Sequence, residues 1–119
     1  MPMLAIHHAN AFLVIAVCLF SGIAALVVRR TGKVGRVLPH ALALAQTLII
    51  AQVVLGLILL AEHRRAAEKL HYAYGAFALL AIAAPWLYAP SDPRARLLWF
   101  AIATLLAAAL GVRAYMTAT

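Results

Sequence analysis

Long apolar runs, separated by short polar or charged segments, cover this chain almost from end to end. The runs predict helices at about 4–30, 38–63, 67–88 and 93–116. Crossing the hydrocarbon core of a bilayer takes about 20 helical residues. Each run is therefore long enough to span a membrane, and the segments between them suffice only for turns. We predict an all-α fold, an integral membrane four-helix up-down bundle that forms a single transmembrane domain over residues 1–119.

Turn-forming residues at the ends of the runs support these boundaries. Gly32 suits the left-handed position that ends a helix. Asp92 and Pro93 are favoured at the N-cap and at the first helical position, so they begin the fourth helix. Pro85 lies in the last turn of the third helix. We expect it to bend that helix rather than end it, because neighbouring helices in a membrane bundle satisfy the freed carbonyl group.

Composition agrees with a lipid environment. Hydrophobic residues make up 67% of the 119 residues and charged residues 11%, whereas soluble domains are roughly 45–50% apolar. The net charge of +7 comes from Lys and Arg that stand between apolar runs, where membrane topology explains them. Nucleic-acid binding is therefore not expected. Cys18 is the single cysteine, so no disulfide forms within the chain.

The same basic residues predict the orientation of the bundle. One side holds six of them, and the other holds four that are partly offset by glutamates. The positive-inside rule places the first side in the cytoplasm. We expect both termini outside, in a bacterial inner membrane. The six are Arg29, Arg30, Lys33, Arg36, Arg94 and Arg96, and the four are Arg64, Arg65, Lys69 and Arg113.

Histidines gather at one predicted end of the bundle. His7 or His8, near the start of helix 1, and His71, near the start of helix 3, should lie at similar depth because these helices run in the same direction. Helices 1 and 3 are diagonal in an up-down bundle, where facing side chains build cofactor sites. Two such imidazoles suit the axial positions of a haem. Histidines at helix ends are also commonly just hydrated at the headgroup level, and we assign His40 and His63 to that case.

Helical phase favours His7 over His8 as the inward residue. The face through His7 is small or weakly polar, as transmembrane packing faces are, and comprises Asn10, Ala11, Val14, Cys18, Ser21 and Ala25. The face through His8 is bulky and apolar, as lipid-facing surfaces are, and comprises Phe12, Ile15, Leu19 and Leu26. His8 remains the alternative ligand.

Glycines and glutamines on the neighbouring helices complete the candidate site. Gly56 on helix 2 and Gly75, one turn after His71, leave room for a macrocycle. Gln46 and Gln52 are polar at membrane depth. They either form hydrogen bonds between helices or line a quinone or haem-propionate site.

Three short motifs follow one another along the chain. They are His-His-Ala-Asn-Ala at 7–11, Gln-Val-Val-Leu-Gly at 52–56 and Leu-His-Tyr-Ala-Tyr-Gly at 70–75. In this order they resemble one four-helix half of the haem A synthase family, over most of the chain. The resemblance implies a cytochrome b-like haem-binding bundle with its ligands at His7 and His71. The family has a carboxylate one turn before the first ligand, where this chain has Leu4, and the second half has no counterpart here. Hydroxylase chemistry is therefore not implied.

No catalytic set is evident in the sequence. The only acids, Glu62, Glu68 and Asp92, fall in predicted loops or caps, so we expect no independent catalytic activity. The predicted function is a small b-type haem protein with one haem b, for electron transfer or haem handling in a respiratory or photosynthetic complex. The alternative is a cofactor-free accessory subunit of a larger membrane complex. A transporter is disfavoured because the helix centres lack ionisable residues.

Overall fold

The structure, a computed structural model, consists of four α-helices. They are α1 (Pro2–Thr31), α2 (Val37–Ala61), α3 (Leu70–Tyr88) and α4 (Pro93–Thr117). It describes residues 2–32, 37–62 and 70–117, without the side chains of residues 2–4 and 37, and no strand occurs in these ranges. Each of the four helices is long and apolar enough to cross a membrane. The predicted all-α four-helix fold is confirmed.

The helix ends follow the local signals in the sequence. Gly32 has a φ of 74°, and its N–H donates to the Val28 carbonyl at 2.7 Å, which ends α1. The Asp92 carboxylate accepts from the Ala95 N–H at 3.0 Å and caps α4. α3 continues through Pro85 to Tyr88, as predicted. The other predicted bounds agree within two residues, whereas the predicted end of helix 2 at 63 and start of helix 3 at 67 lie outside the described residues.

The helices alternate in direction. The starts of α1 and α3 and the ends of α2 and α4 line one cavity, which we call the histidine end of the bundle because His7 and His71 lie there. At the opposite end, which we call the arginine end, the Arg29 Nε donates to the Arg94 carbonyl oxygen at 3.4 Å. Some of the charges from which the orientation was predicted lie outside the described residues. They are those of Lys33, Arg36 and segment 63–69.

The helices are not packed equally against one another. α1 packs closely against α2 and α4, and α3 packs closely against α4, whereas α2 and α3 meet only sparsely. The backbones of α1 and α3 do not approach each other closely within the described ranges, so these helices are diagonal, as predicted, and meet through side chains. Around the bundle the order is α2, α1, α4, α3, with a gap between α3 and α2.

Small residues bring α1 and α4 together. A Cβ atom at Gly22 would lie 2.5 Å from Leu105 Cγ, so no larger residue fits there without a shift. Ser21, Ala25 and Ala101 are fully buried on the same two helices. Lipid chains are as apolar as these side chains, and close van der Waals packing therefore replaces the hydrophobic effect as the main attraction between the helices.

The predicted inward face of α1 is the one that is buried. Val14, Cys18 and Ala25 are at most 5% exposed, and they pack in two core clusters that include residues of the other helices. Phe12 and Leu19, on the predicted lipid-facing side, are 56% and 44% exposed. The inward face directs His7 towards the bundle interior.

Candidate cofactor site

A cavity of about 450 Å³ lies at the histidine end and is lined by all four helices. Its volume falls within the range of roughly 300–1,000 Å³ that is common for small-molecule sites. His7, Gln52, Gly56, His71 and Gly75 all contribute to its wall. We infer that the cavity opens between α2 and α3, since Leu57 on α2 and Tyr72 on α3 both line it and are exposed. The sequence-predicted site residues are therefore brought together in one cavity.

The imidazoles of His7 and His71 lie near each other across the diagonal of the bundle. Their ring centroids are 6.3 Å apart and their planes make an angle of 77°. Two imidazoles bound to opposite sides of one metal ion would have ring centres about 6.4–6.6 Å apart, since each metal–nitrogen bond is about 2.0–2.1 Å and the ring centre lies about 1.2 Å beyond it. The observed spacing of 6.3 Å is close to that distance.

His71 is held by the backbone of α4. Its Nδ1 lies 2.6 Å from the carbonyl oxygen of Ala114. A carbonyl oxygen only accepts, so this contact assigns a proton to Nδ1 as the donor, and in the neutral imidazole Nε2 then has a free lone pair. Histidines that bind metals commonly have this second hydrogen bond, which fixes the tautomer and the ring orientation. His71 is thus prepared to act as a ligand.

His7 is the more deeply buried imidazole. It is 8% exposed, and its Nδ1 is buried without a hydrogen-bond partner among the described residues. Leaving a buried polar atom unpaired is costly, at roughly 1–3 kcal/mol. A Cβ atom at Gly56 would lie 3.4 Å from His7 Cε1, an ordinary contact distance, so this glycine lies directly beside the imidazole.

Asn10 and Gln52 connect α1 with α2 directly behind His7. The Asn10 amide donates to Gln52 Oε1 at 2.9 Å and to the Leu48 carbonyl at 3.0 Å. Gln52 Nε2 donates to the His7 carbonyl at 2.9 Å. Of the two roles open for Gln52, the interhelical hydrogen bond is therefore present. The sequence predicts Asn10 on the inward face but not its hydrogen bond to Gln52. An amide side chain three residues after His7 could have indicated such a bond.

The remaining histidines have other surroundings. His8 lies at the cavity wall with its ring 6.2 Å from that of Tyr115, edge to face. Tyr115 also packs against Phe12, at 4.9 Å between centroids. His40 is exposed, and His63 lies outside the described residues.

The donor set limits what the cavity can bind. Within the described ranges, no group of three or more His, Cys, Asp or Glu side chains is close enough to hold a metal ion. A structural zinc site takes four protein ligands, and a catalytic one takes three. Two imidazoles alone suit a metal that brings its other ligands with it, as the iron of a haem does through its four porphyrin nitrogens. Gly75 leaves space for such a ring, since a Cβ atom there would meet nothing within 4 Å.

Comparison with known proteins adds no relative: no family model matches the chain, and neither a curated protein nor a solved structure matches it.

Proposed function

We propose that this chain is a small b-type haem protein of the membrane, with one haem b bound between His7 and His71. The observation that carries the proposal is the 6.3 Å spacing of the two imidazole centroids across a mainly apolar cavity. A haem with two histidine ligands supplies one-electron redox chemistry.

The chain's own residues bind and orient the group. His71 presents Nε2 because its Nδ1 donates to the Ala114 carbonyl. Gln52 restrains the His7 backbone through its carbonyl oxygen. Gly56 and Gly75 keep the space beside the two imidazoles free of side chains. The apolar wall of the cavity excludes water, so the surroundings have a low dielectric constant, which influences the redox potential.

Electron transfer or haem handling, as a subunit of a respiratory or photosynthetic complex, is the role that suits this site. The described residues form membrane-spanning helices, so the redox partners that can reach the cavity are other membrane proteins or a lipid-soluble carrier such as a quinone. We also propose, from the basic residues in the sequence, that the chain lies in a bacterial inner membrane with both termini outside.

An absorption spectrum of the purified protein tests the proposal. The protein is expressed in cells with an ample haem supply and purified in mild detergent. We expect one haem per chain and the spectrum of low-spin six-coordinate iron, both as oxidised protein and after reduction by dithionite. A correctly folded protein without haem would reject the proposal and leave the cofactor-free accessory subunit as the better interpretation.

A further inference from the structure

Arg96 lies at the arginine end, beside aromatic rings of α3 and α4. Its guanidinium carbon is 5.8 Å from the ring centroid of Trp86 on α3 and 5.4 Å from that of Phe100 on α4. The two rings meet edge to face at 5.2 Å. Trp86 Nε1 donates to Gln46 Oε1 on α2 at 2.9 Å. The Arg96 guanidinium thus lies against rings of α3 and α4, and the Trp86 ring is in turn hydrogen-bonded to α2.

Among the described residues, the guanidinium has aromatic neighbours but no anionic one. Asp92 is the one acid that the structure describes near the start of α4, and its Oδ2 accepts from the Ala95 N–H as the helix cap. No hydrogen bond from the Arg96 side chain to another described residue is present. The five N–H donors of the guanidinium therefore remain available. The amide nitrogen of Gln46 also has no acceptor among the described residues, since the hydrogen bond to Trp86 uses its oxygen.

The location of Arg96 and Trp86 suits the binding of a lipid headgroup. Trp86 lies close to the end of α3 and Arg96 close to the start of α4, and tryptophan and arginine side chains are typical of the membrane interface. Trp86 and Leu87 are 62% and 72% exposed, so an acyl chain can lie against them. Arg29, Arg30 and Arg94 at the same end make the local potential positive.

We propose that Arg96, with Trp86 and Gln46, forms a binding site for the phosphate of an anionic phospholipid. Arginine binds phosphate oxygens in bidentate fashion through its planar fork, and the rings of Trp86 and Phe100 hold that fork in place. This site is independent of the haem proposal, since it lies at the other end of the bundle.

Quenching of Trp86 fluorescence by brominated lipids tests the site. In a Trp99→Phe background Trp86 is the single tryptophan. The protein is placed in phosphatidylcholine nanodiscs that contain equal mole fractions of either brominated phosphatidylglycerol or brominated phosphatidylcholine. We expect enrichment of the anionic lipid at Trp86 by about fivefold, the effect of one arginine near a membrane surface. A bound cofactor would quench Trp86 to the same extent with both lipids. Its contribution therefore cancels in the ratio of the quenching by the two brominated lipids.

Arg30→Gln is the matched control, because Arg30 is an exposed arginine at the same end without an aromatic neighbour among the described residues. Arg96→Gln should abolish the preference for the anionic lipid, and Arg30→Gln should leave it nearly unchanged. Arg96→Lys should retain only part of it, since lysine keeps the charge without the fork. An equal loss of the lipid preference in Arg96→Gln and Arg30→Gln would mean that general surface charge attracts the anionic lipid. That result would overturn the proposal. So would the absence of any preference in the Trp99→Phe protein.

Discussion

The proposed haem site depends on two single imidazoles. His7 and His71 stand across the diagonal from each other, and no further pair is placed this way in the described part of the chain. Replacing either by alanine removes one axial ligand, so the low-spin six-coordinate spectrum should be lost in His7→Ala and in His71→Ala. Absorption and electron paramagnetic resonance spectra of the purified variants measure this directly.

His8→Ala is the informative control for those variants. About 100° of helical rotation separates His8 from His7, and the His8 ring packs against Tyr115. Haem should therefore be retained in His8→Ala, and likewise in His40→Ala, since His40 is exposed outside the cavity. Loss in His8→Ala with retention in His7→Ala would show that His8 is the ligand on α1.

Added side chains at two glycines should exclude the cofactor. A leucine at Gly56 would press on the His7 imidazole, and one at Gly75 would project into open space beside His71. We expect the dissociation constant for haem to rise at least about tenfold in either variant, because the loss of roughly 1.4 kcal/mol of binding free energy has that effect. The measurement is a haem titration of the purified protein, followed by absorption.

The control for the glycine variants is Ala109→Leu, which adds the same bulk on the exposed side of α4. Gly22→Leu does not serve this purpose, because Leu105 blocks the space beside Gly22. We expect Gly22→Leu to weaken the bundle as a whole. Equal haem loss in Ala109→Leu and Gly75→Leu would contradict a cofactor beside Gly75.

The pattern of residues allowed some of this site to be predicted. The phase of α1 selected His7, because a face of small side chains predicts the packed side. The partner of His71 was not predictable, since a backbone carbonyl such as that of Ala114 has no signature in the sequence. The proximity of Gly56 to His7 was not predictable either, because it depends on how two helices are rotated against each other.

At the scale of elements, the amide pair of Asn10 and Gln52 joins α1 to α2. Hydrogen bonds between helices in membranes contribute about 0.6 kcal/mol on average and up to about 1.7. In a double-mutant cycle of Asn10→Ala and Gln52→Ala we expect a coupling free energy of about 0.5–1.5 kcal/mol. Reversible unfolding in mixed micelles, followed by circular dichroism, measures it.

A second cycle serves as the reference for the first. It combines Asn10→Ala with Thr47→Ala, because the Thr47 hydroxyl donates within its own helix, to the Ala43 carbonyl. The changes in unfolding free energy caused by Asn10→Ala and Thr47→Ala should therefore be additive. If the changes in unfolding free energy for Asn10→Ala and Gln52→Ala were equally additive, the amide pair would contribute nothing to stability.

Helix ends and the diagonal pairing of helices were predictable, whereas the closeness of each helix–helix contact was not. Gly32, Asp92 and Pro93 act through local backbone geometry, which depends on adjacent residues alone. The gap between α2 and α3 depends instead on which faces of all four helices pack best, and apolar residues surround α2 so uniformly that no single face is marked for packing. The hydrogen bond from Trp86 to Gln46 confirms that Gln46 bonds between helices, but its partner could not be read from the sequence.

At the scale of the whole molecule, the orientation in the membrane is testable with one cysteine at each end. Thr31 and Glu62 are exposed at opposite ends of the bundle, and the native Cys18 is fully buried. In spheroplasts, a membrane-impermeant maleimide should label Glu62→Cys at once and Thr31→Cys only after permeabilisation. The reverse order would mean that both termini face the cytoplasm.

The sparse contact between α2 and α3 divides the molecule into two hairpins, α1–α2 and α3–α4, which meet mainly through α1 and α4. Separate halves of the chain, made as two polypeptides cut between α2 and α3, would therefore keep nearly all the close helix contacts of the intact protein. We expect the two halves to assemble when they are expressed together. Each half carries one of the two facing histidines, so haem binding would report the reunion of the fragments.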